Sequence, residues 1–179
     1  RLFIILEMIK FGHSIFALPF AVLAGFIAAS GWPGWGKVAL IVGCMVLGRN
    51  VAMAYNRLAD AYLDKLNPRT SGRAIPAGLV DARWTMGFIA ANAVGFILVS
   101  GLFQYVYGNP WPVIFAVPVL VYLCAYSYSK RFTWLCHFWL GGAHVIAVLA
   151  GFVAVDPSRL GFGGVVLAAS LAIGLGARD

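Results

Sequence analysis

Long apolar runs, broken by short polar clusters, set the rhythm of the chain. A run of about 20 apolar residues is what a helix needs to cross roughly 30 Å of hydrocarbon. The first such run covers Phe11 to Ser30 and stops at the turn formed by Gly31, Trp32, Pro33 and Gly34. A second starts at about Val38 and continues directly into a polar segment at Asn56 to Asp64. Asn67, Pro68 and the cluster Thr70, Ser71, Gly72 end it and open a basic loop that reaches Arg83. Runs three and four lie at Trp84 to Val106 and Trp111 to Tyr128, with Gly108, Asn109 and Pro110 between them. Lys130 and Arg131 precede a fifth run from Phe132 to Val155. The turn Asp156, Pro157, Ser158, Arg159 then leads to a sixth, ending at about Leu175. The pattern predicts an all-α polytopic transmembrane bundle of six spans, forming one domain over residues 1–179.

Composition agrees with that reading: 62% of residues are hydrophobic, 11% are charged, and the mean hydropathy is +0.89. A net charge of +7 raises nucleic acid as a partner. The basic residues are distributed among apolar spans rather than along one solvated face, however, so membrane topology explains them and no nucleic-acid partner is expected. With six alternating spans, Arg1, Lys10, Lys65, Arg69, Arg73, Arg83, Lys130, Arg131 and Arg178 fall on one side, and Lys37 and Arg159 on the other. The positive-inside rule makes the first side cytoplasmic, which suits the inner membrane of a bacterium. Cys44, Cys124 and Cys136 have no paired spacing and read as packing residues. The chain starts at Arg1, carries no signal-peptide pattern and stops directly after an apolar run, so it reads as a fragment.

The segment from Gly48 to Gly78 departs from this apolar background. Asn56, Asp60 and Asp64 recur every four residues, so on a helix each is only about 40° from the last and the three climb one face over roughly 12 Å. Arg49 projects onto nearly the same face and Arg57 onto its edge. A charge at membrane depth costs about 2.5–3.5 kcal/mol on insertion scales, so such groups face a cavity and have a use. The rival reading, a solvated helix end, leaves Arg49 and the regular spacing unexplained. Two carboxylates and an amide oxygen are hard ligands that suit magnesium, which keeps several waters and is commonly shared between carboxylates and phosphate oxygens. Lys65, Arg69 and Arg73 can hold those phosphates directly.

Residues 56–64, NRLADAYLD, and the following NPRTSGRAIPAG at 67–78 resemble the NxxxDxxxD motif and adjoining loop of the UbiA superfamily of intramembrane aromatic prenyltransferases. The stretches IKFGHSIFALPFA and YSYSKRFTWLCHFWLGG are similar to segments of its 4-hydroxybenzoate polyprenyltransferase branch. The resemblance implies nine helices around a central cavity, with two aspartate-rich motifs binding Mg2+ and the diphosphate of a polyprenyl donor. The second motif is expected where this chain stops, with Asp179 as its first acid, so the sequence reads as the N-terminal two-thirds of such a protein.

The implied reaction is Mg2+-dependent transfer of a polyprenyl group from polyprenyl diphosphate to an aromatic acid such as 4-hydroxybenzoate, in ubiquinone-type biosynthesis. Asp60 and Asp64, assisted by Asn56, are the expected metal ligands. Arg57, Lys65, Arg69 and Arg73 are the diphosphate candidates, with Lys130 and Arg131 closing the site. Arg49 has two readings: it pairs with the acceptor's carboxylate, or it neutralises Asp60. Lys10 and His13 lie near the cytoplasmic end of the first span, and His13 beside Ser14 reads as structurally satisfied. Tyr126 and Tyr128 read as interfacial anchors. A dihydroxynaphthoate acceptor, as in menaquinone biosynthesis, is the nearer alternative. A cation or proton transporter using Asp60 and Arg49 is the more distant one, and it expects ionisable groups continuing across the bilayer. Spans three and four have none between Trp84 and Ser129.

Overall fold

The computed structural model describes residues 18–132 and 136–161, with positions 4, 164–166 and 170. Among these the architecture is all helical: α1 (Leu18–Ala29), α2 (Trp35–Leu66), α3 (Ala82–Tyr107), α4 (Trp111–Phe132) and α5 (Cys136–Val155), followed by a 3-10 turn at Pro157–Arg159. Among the described residues three helices are long and apolar enough to cross a membrane, Trp35–Leu66, Ala82–Tyr107 and Trp111–Ser129. Leu18–Ala29 and Gly141–Val155 are shorter apolar helices. This is an integral membrane protein. The start of the expected first span and most of the expected sixth lie outside the described residues.

Each helix boundary has a local cause. Gly34 sits at φ +92°, where a side chain is strained, and α2 starts immediately after it, three residues before the expected Val38. Asp81 caps α3 by accepting from the Arg83 amide at 3.1 Å. Gly108 ends that helix in the left-handed region at φ 66°. At this same end, Asn109 donates its amide to the carbonyls of Val153 and Ala154, at 2.7 and 3.2 Å, and so satisfies the otherwise open end of α5. Lys37 reaches the Val155 carbonyl at 3.2 Å and lies over the Tyr107 ring. The Ser158 hydroxyl, 2.6 Å from Asp156 Oδ1, holds that carboxyl below its ordinary range, with Arg159 and Lys37 adding to the effect.

With 32 residues, α2 is the axis of the bundle. At 1.5 Å per residue it extends about 48 Å, well beyond roughly 30 Å of hydrocarbon, so its polar end reaches out of the apolar slab. It packs most extensively on α3, and α1 packs on α5. The α1–α5 crossing is made of small residues: Ala21, Ala24, Gly25 and Ala28 are buried, and a Cβ at Gly151 would strike the Ala21 carbonyl oxygen and come within 2.9 Å of Ala24 Cβ. Between helices already surrounded by hydrocarbon, such close backbone approach is the main source of packing energy. Leu98, Ile114 and Val121 are exposed and face outward, as lipid-facing residues do.

Candidate functional site

Asp60 and Asp64 lie one turn apart on α2, and both are only 7% exposed. Tyr62, Leu63, Lys65 and Leu66 around them are exposed, so the two acids are turned into the bundle while the rest of this end faces outward, which a helix end solvated on all sides would not show. Asn56, a further turn inward, is half-buried, as is Arg57. Arg57 lies within Coulomb range of Arg73, Asp64 and Asp60, so two guanidinium groups and two carboxylates share one cluster. Lys65 and Arg69 are exposed at its rim.

The loop after α2 is tied to Asp64 at three points. Arg73 donates through one nitrogen, Nη1, to both carboxylate oxygens at 2.7 Å. The Thr70 hydroxyl and the Asn67 amide donate to the Asp64 main-chain carbonyl at 3.1 and 3.3 Å. Asn67 Oδ1 also accepts from the Arg69 amide at 3.0 Å, and the Thr70 and Ser71 amides both bond to the Asn67 carbonyl. The Asn-Pro-Arg-Thr sequence thus winds into a compact turn that delivers Arg73 back onto the helix it has just left.

Arg49 corrects one sequence expectation. It stands eleven residues before Asp60, a rise of about 16 Å, too far for the two to pair. Among the described residues it forms no ion pair, and its buried Nε has no hydrogen-bond partner. Counted from Lys37, Arg49 lies about 18 Å along the helix, near the middle of the apolar slab. A cation left uncompensated at that depth is costly unless something else completes it.

Beside Arg49 is a feature the sequence reading passed over. Asn50 donates to Asn92 Oδ1 on α3 at 2.9 Å, and Asn92 donates to the Phe88 carbonyl at 2.8 Å. An isolated amide in the middle of an apolar run was the available signal for Asn92. Tyr128 is 43% exposed, and its hydroxyl lies 3.2 Å from that of Tyr55, joining α4 to α2 at the level of Asn56. It therefore ties helices together as well as standing near the surface.

Below Arg49 the character changes. The ring of Phe96 covers Gly48, with only 3.2 Å between a notional Cβ there and Phe96 Cε2, and Leu123 closes the same point. On the Lys37 side of this contact is a cavity of about 470 Å³ whose wall includes Ile41, Met45, Phe96, Phe115, Val119 and Ile146. Its few polar groups include the Cys44 thiol and Ser100 hydroxyl, 3.6 Å apart and satisfying each other.

Lys130 and Arg131 fall in the last turn of α4. Their side chains lie outside the described residues, as do Arg1, Lys10, His13, the side chains of Cys136 and His137, Arg178 and Asp179. Among the described residues no three His, Cys, Asp or Glu side chains gather as a metal centre, so Asp60 and Asp64 form a two-carboxylate arrangement.

Fold and site together define a helical membrane protein with an acidic-and-basic cluster at one end of the bundle and a hydrocarbon-lined chamber deeper within it. The chain belongs to the UbiA prenyltransferase family, whose model matches residues 17–177. It is 30% identical over 161 residues to the 4-hydroxybenzoate octaprenyltransferase of Acidovorax ebreus (strain TPSY), covering 87% of this chain and 53% of that protein. It is 32% identical over 130 residues to the enzyme of the same name from Vesicomyosocius okutanii, covering 72% of this chain and 45% of the relative. The chain thus spans about half the length of the curated relatives it matches. Among solved structures, the apo form of a UbiA homolog from Aeropyrum pernix K1 superposes with a TM-score of 0.79 at 27% identity, over 92% of this chain and 60% of that one. A digeranylgeranylglyceryl phosphate synthase structure shares the fold with a TM-score of 0.82 at 19% identity, over 99% of this chain and 60% of its own.

Proposed function

We propose that the complete protein transfers a polyprenyl group from polyprenyl diphosphate to an aromatic acid, with 4-hydroxybenzoate as the acceptor its relatives' names favour, in the inner membrane of a bacterium with the basic loop cytoplasmic. The observation that carries this reading is the pairing of Asp60 and Asp64, buried on one helix face, with Arg57 and Arg73 alongside and Arg49 alone further in. Carboxylates by themselves suit many cations. Carboxylates interleaved with arginines suit a cation that arrives bound to an anion.

The donor set fits Mg2+: Asp60 and Asp64 supply carboxylate oxygens, and the Asn56 amide oxygen stands one turn away. When bound, the ion would neutralise charge on the departing diphosphate. Everything else falls to the chain's own groups. Arg57 and Arg73, with Lys65 and Arg69 at the rim, are the candidates to hold the diphosphate oxygens, and Lys130 and Arg131 remain candidates whose side chains lie outside the described residues. Arg49 is assigned to the acceptor's carboxylate, which would supply the counter-charge its guanidinium lacks among the described residues. The apolar bundle excludes water from the allylic cation that forms as the carbon–oxygen bond breaks, so the aromatic ring rather than water captures it. The ring carbon bonds to the allylic carbon, diphosphate leaves with the electron pair, and the ring proton is lost. The chamber beyond Phe96 and Gly48 offers the isoprenoid tail a hydrocarbon surface in place of lipid.

Membranes containing the complete gene product, supplied with a polyprenyl diphosphate, Mg2+ and 4-hydroxybenzoate, should form the ring-prenylated acid, read by mass spectrometry. A dihydroxynaphthoate supplied separately tests the alternative acceptor. No prenylated product from any aromatic acid would sink the proposal.

A further inference from the structure

Arg73 was expected to hold diphosphate, yet here its guanidinium is committed to Asp64. Both oxygens of that carboxylate are engaged by one nitrogen at 2.7 Å, so a cation chelated by the same two oxygens would compete with Arg73 for them. Asp64 is 10% exposed in its side chain and Arg73 38%, so the pair is shielded on the carboxylate side and reachable from solvent on the arginine side. An anion arriving from the aqueous end therefore meets Arg73 before Asp64.

The charges give this arrangement a direction. Among the described residues, Arg57 and Arg73 share one cluster with Asp60 and Asp64. A divalent cation entering alone would have to displace Arg73 from Asp64, parting the guanidinium from that carboxylate and adding two positive charges beside it. A diphosphate entering alone would meet carboxylates still facing it. When the two enter together, Arg73 can exchange one set of oxygens for another, and Asp64 is freed as its counter-charge is replaced. The Thr70 and Asn67 bonds to the Asp64 carbonyl are independent of this exchange and keep the loop attached while Arg73 moves.

We propose that Arg73 is an exchangeable counter-ion that blocks Asp64 against metal alone and couples metal binding to diphosphate binding. This rests on the reading that the cluster takes a metal-bound diphosphate. The coupling belongs to the chain's own residues and is separate from turnover, so it can be read without chemistry.

The test is Mn2+ binding by the full-length protein in detergent, followed by equilibrium dialysis with and without inorganic pyrophosphate and corrected for the soluble Mn2+–pyrophosphate complex. The wild-type protein should bind Mn2+ about tenfold or more tightly with pyrophosphate present, within the usual range of coupling between sites. Arg73→Gln should bind Mn2+ alone about tenfold more tightly than wild type and lose most of the pyrophosphate effect. Arg73→Lys, which keeps the charge but cannot make the same planar contact, should shift in the same direction by less and serves if the glutamine variant does not fold. Unchanged or weaker Mn2+ binding in both variants, or a wild-type protein with no pyrophosphate effect, would overturn the exchange. Failure to retain Mn2+ under either condition would remove both the exchange and the metal reading. Coupling observed in a protein that forms no prenylated product would leave the exchange standing and remove the transferase reading.

Discussion

Asp64 shows how much one residue can anchor: its carboxylate receives Arg73 and its carbonyl receives Thr70 and Asn67, so the end of a helix and the start of a loop are fixed through one position. Asp60, one turn further in, shares the cluster with Arg57 and is equally buried. Arg49 is the counter-example, a guanidinium at mid-bilayer depth whose Nε has no partner. The proposal assigns it to the acceptor's carboxylate. Arg49→Leu should therefore raise KM for the aromatic acid by roughly 10–100-fold, the scale of a lost charged hydrogen bond, while KM for the donor changes little. Steady-state kinetics varying each substrate in turn checks this, and equal rises in both KM values would assign Arg49 to general scaffolding.

At the scale of elements, the α1–α5 crossing depends on the absence of side chain at Gly151, where even a methyl would meet the Ala21 carbonyl and Ala24. Gly151→Ala should destabilise the bundle by about 1–3 kcal/mol, the usual cost of overpacking, seen as a lower midpoint in thermal unfolding followed by intrinsic fluorescence. An unchanged midpoint would show that the two helices can separate without loss. The helices themselves were legible from the sequence, because apolar length alone decides a membrane crossing, and α3, α4 and α5 end within a few residues of the expected points. The acid ladder was legible for a related reason: in an apolar run, charged residues repeating every four positions have few explanations. Contacts between elements were not legible. The Asn50–Asn92 bond depends on which faces of α2 and α3 meet, and Asp64–Arg73 on how tightly the Asn67 turn winds. The alternative of Arg49 neutralising Asp60 fails on distance, since eleven residues of helix separate the two by about 16 Å however well their faces align.

For the molecule as a whole, the two ends of the bundle have different tasks. At the Lys37 end, Asn109, Lys37 and the Asp156 turn close off the helix ends and bind α5 to α2 and to the α3–α4 connection. At the Asp64 end, charges of both signs are gathered, with an apolar cavity deeper in the bundle. This gradient, from ion cluster through a lone arginine to an apolar cavity, suits a substrate with a charged head and a long apolar tail. The most direct test compares wild-type and Asp60→Asn forms of the complete protein in membranes given polyprenyl diphosphate, 4-hydroxybenzoate and Mg2+, with the prenylated acid quantified by mass spectrometry and membrane insertion checked by immunoblot. The substitution preserves shape and removes the charge, so product formation should fall by roughly 10²-fold or more at equal protein in the membrane. Turnover equal to wild type would contradict a metal–diphosphate site built on Asp60.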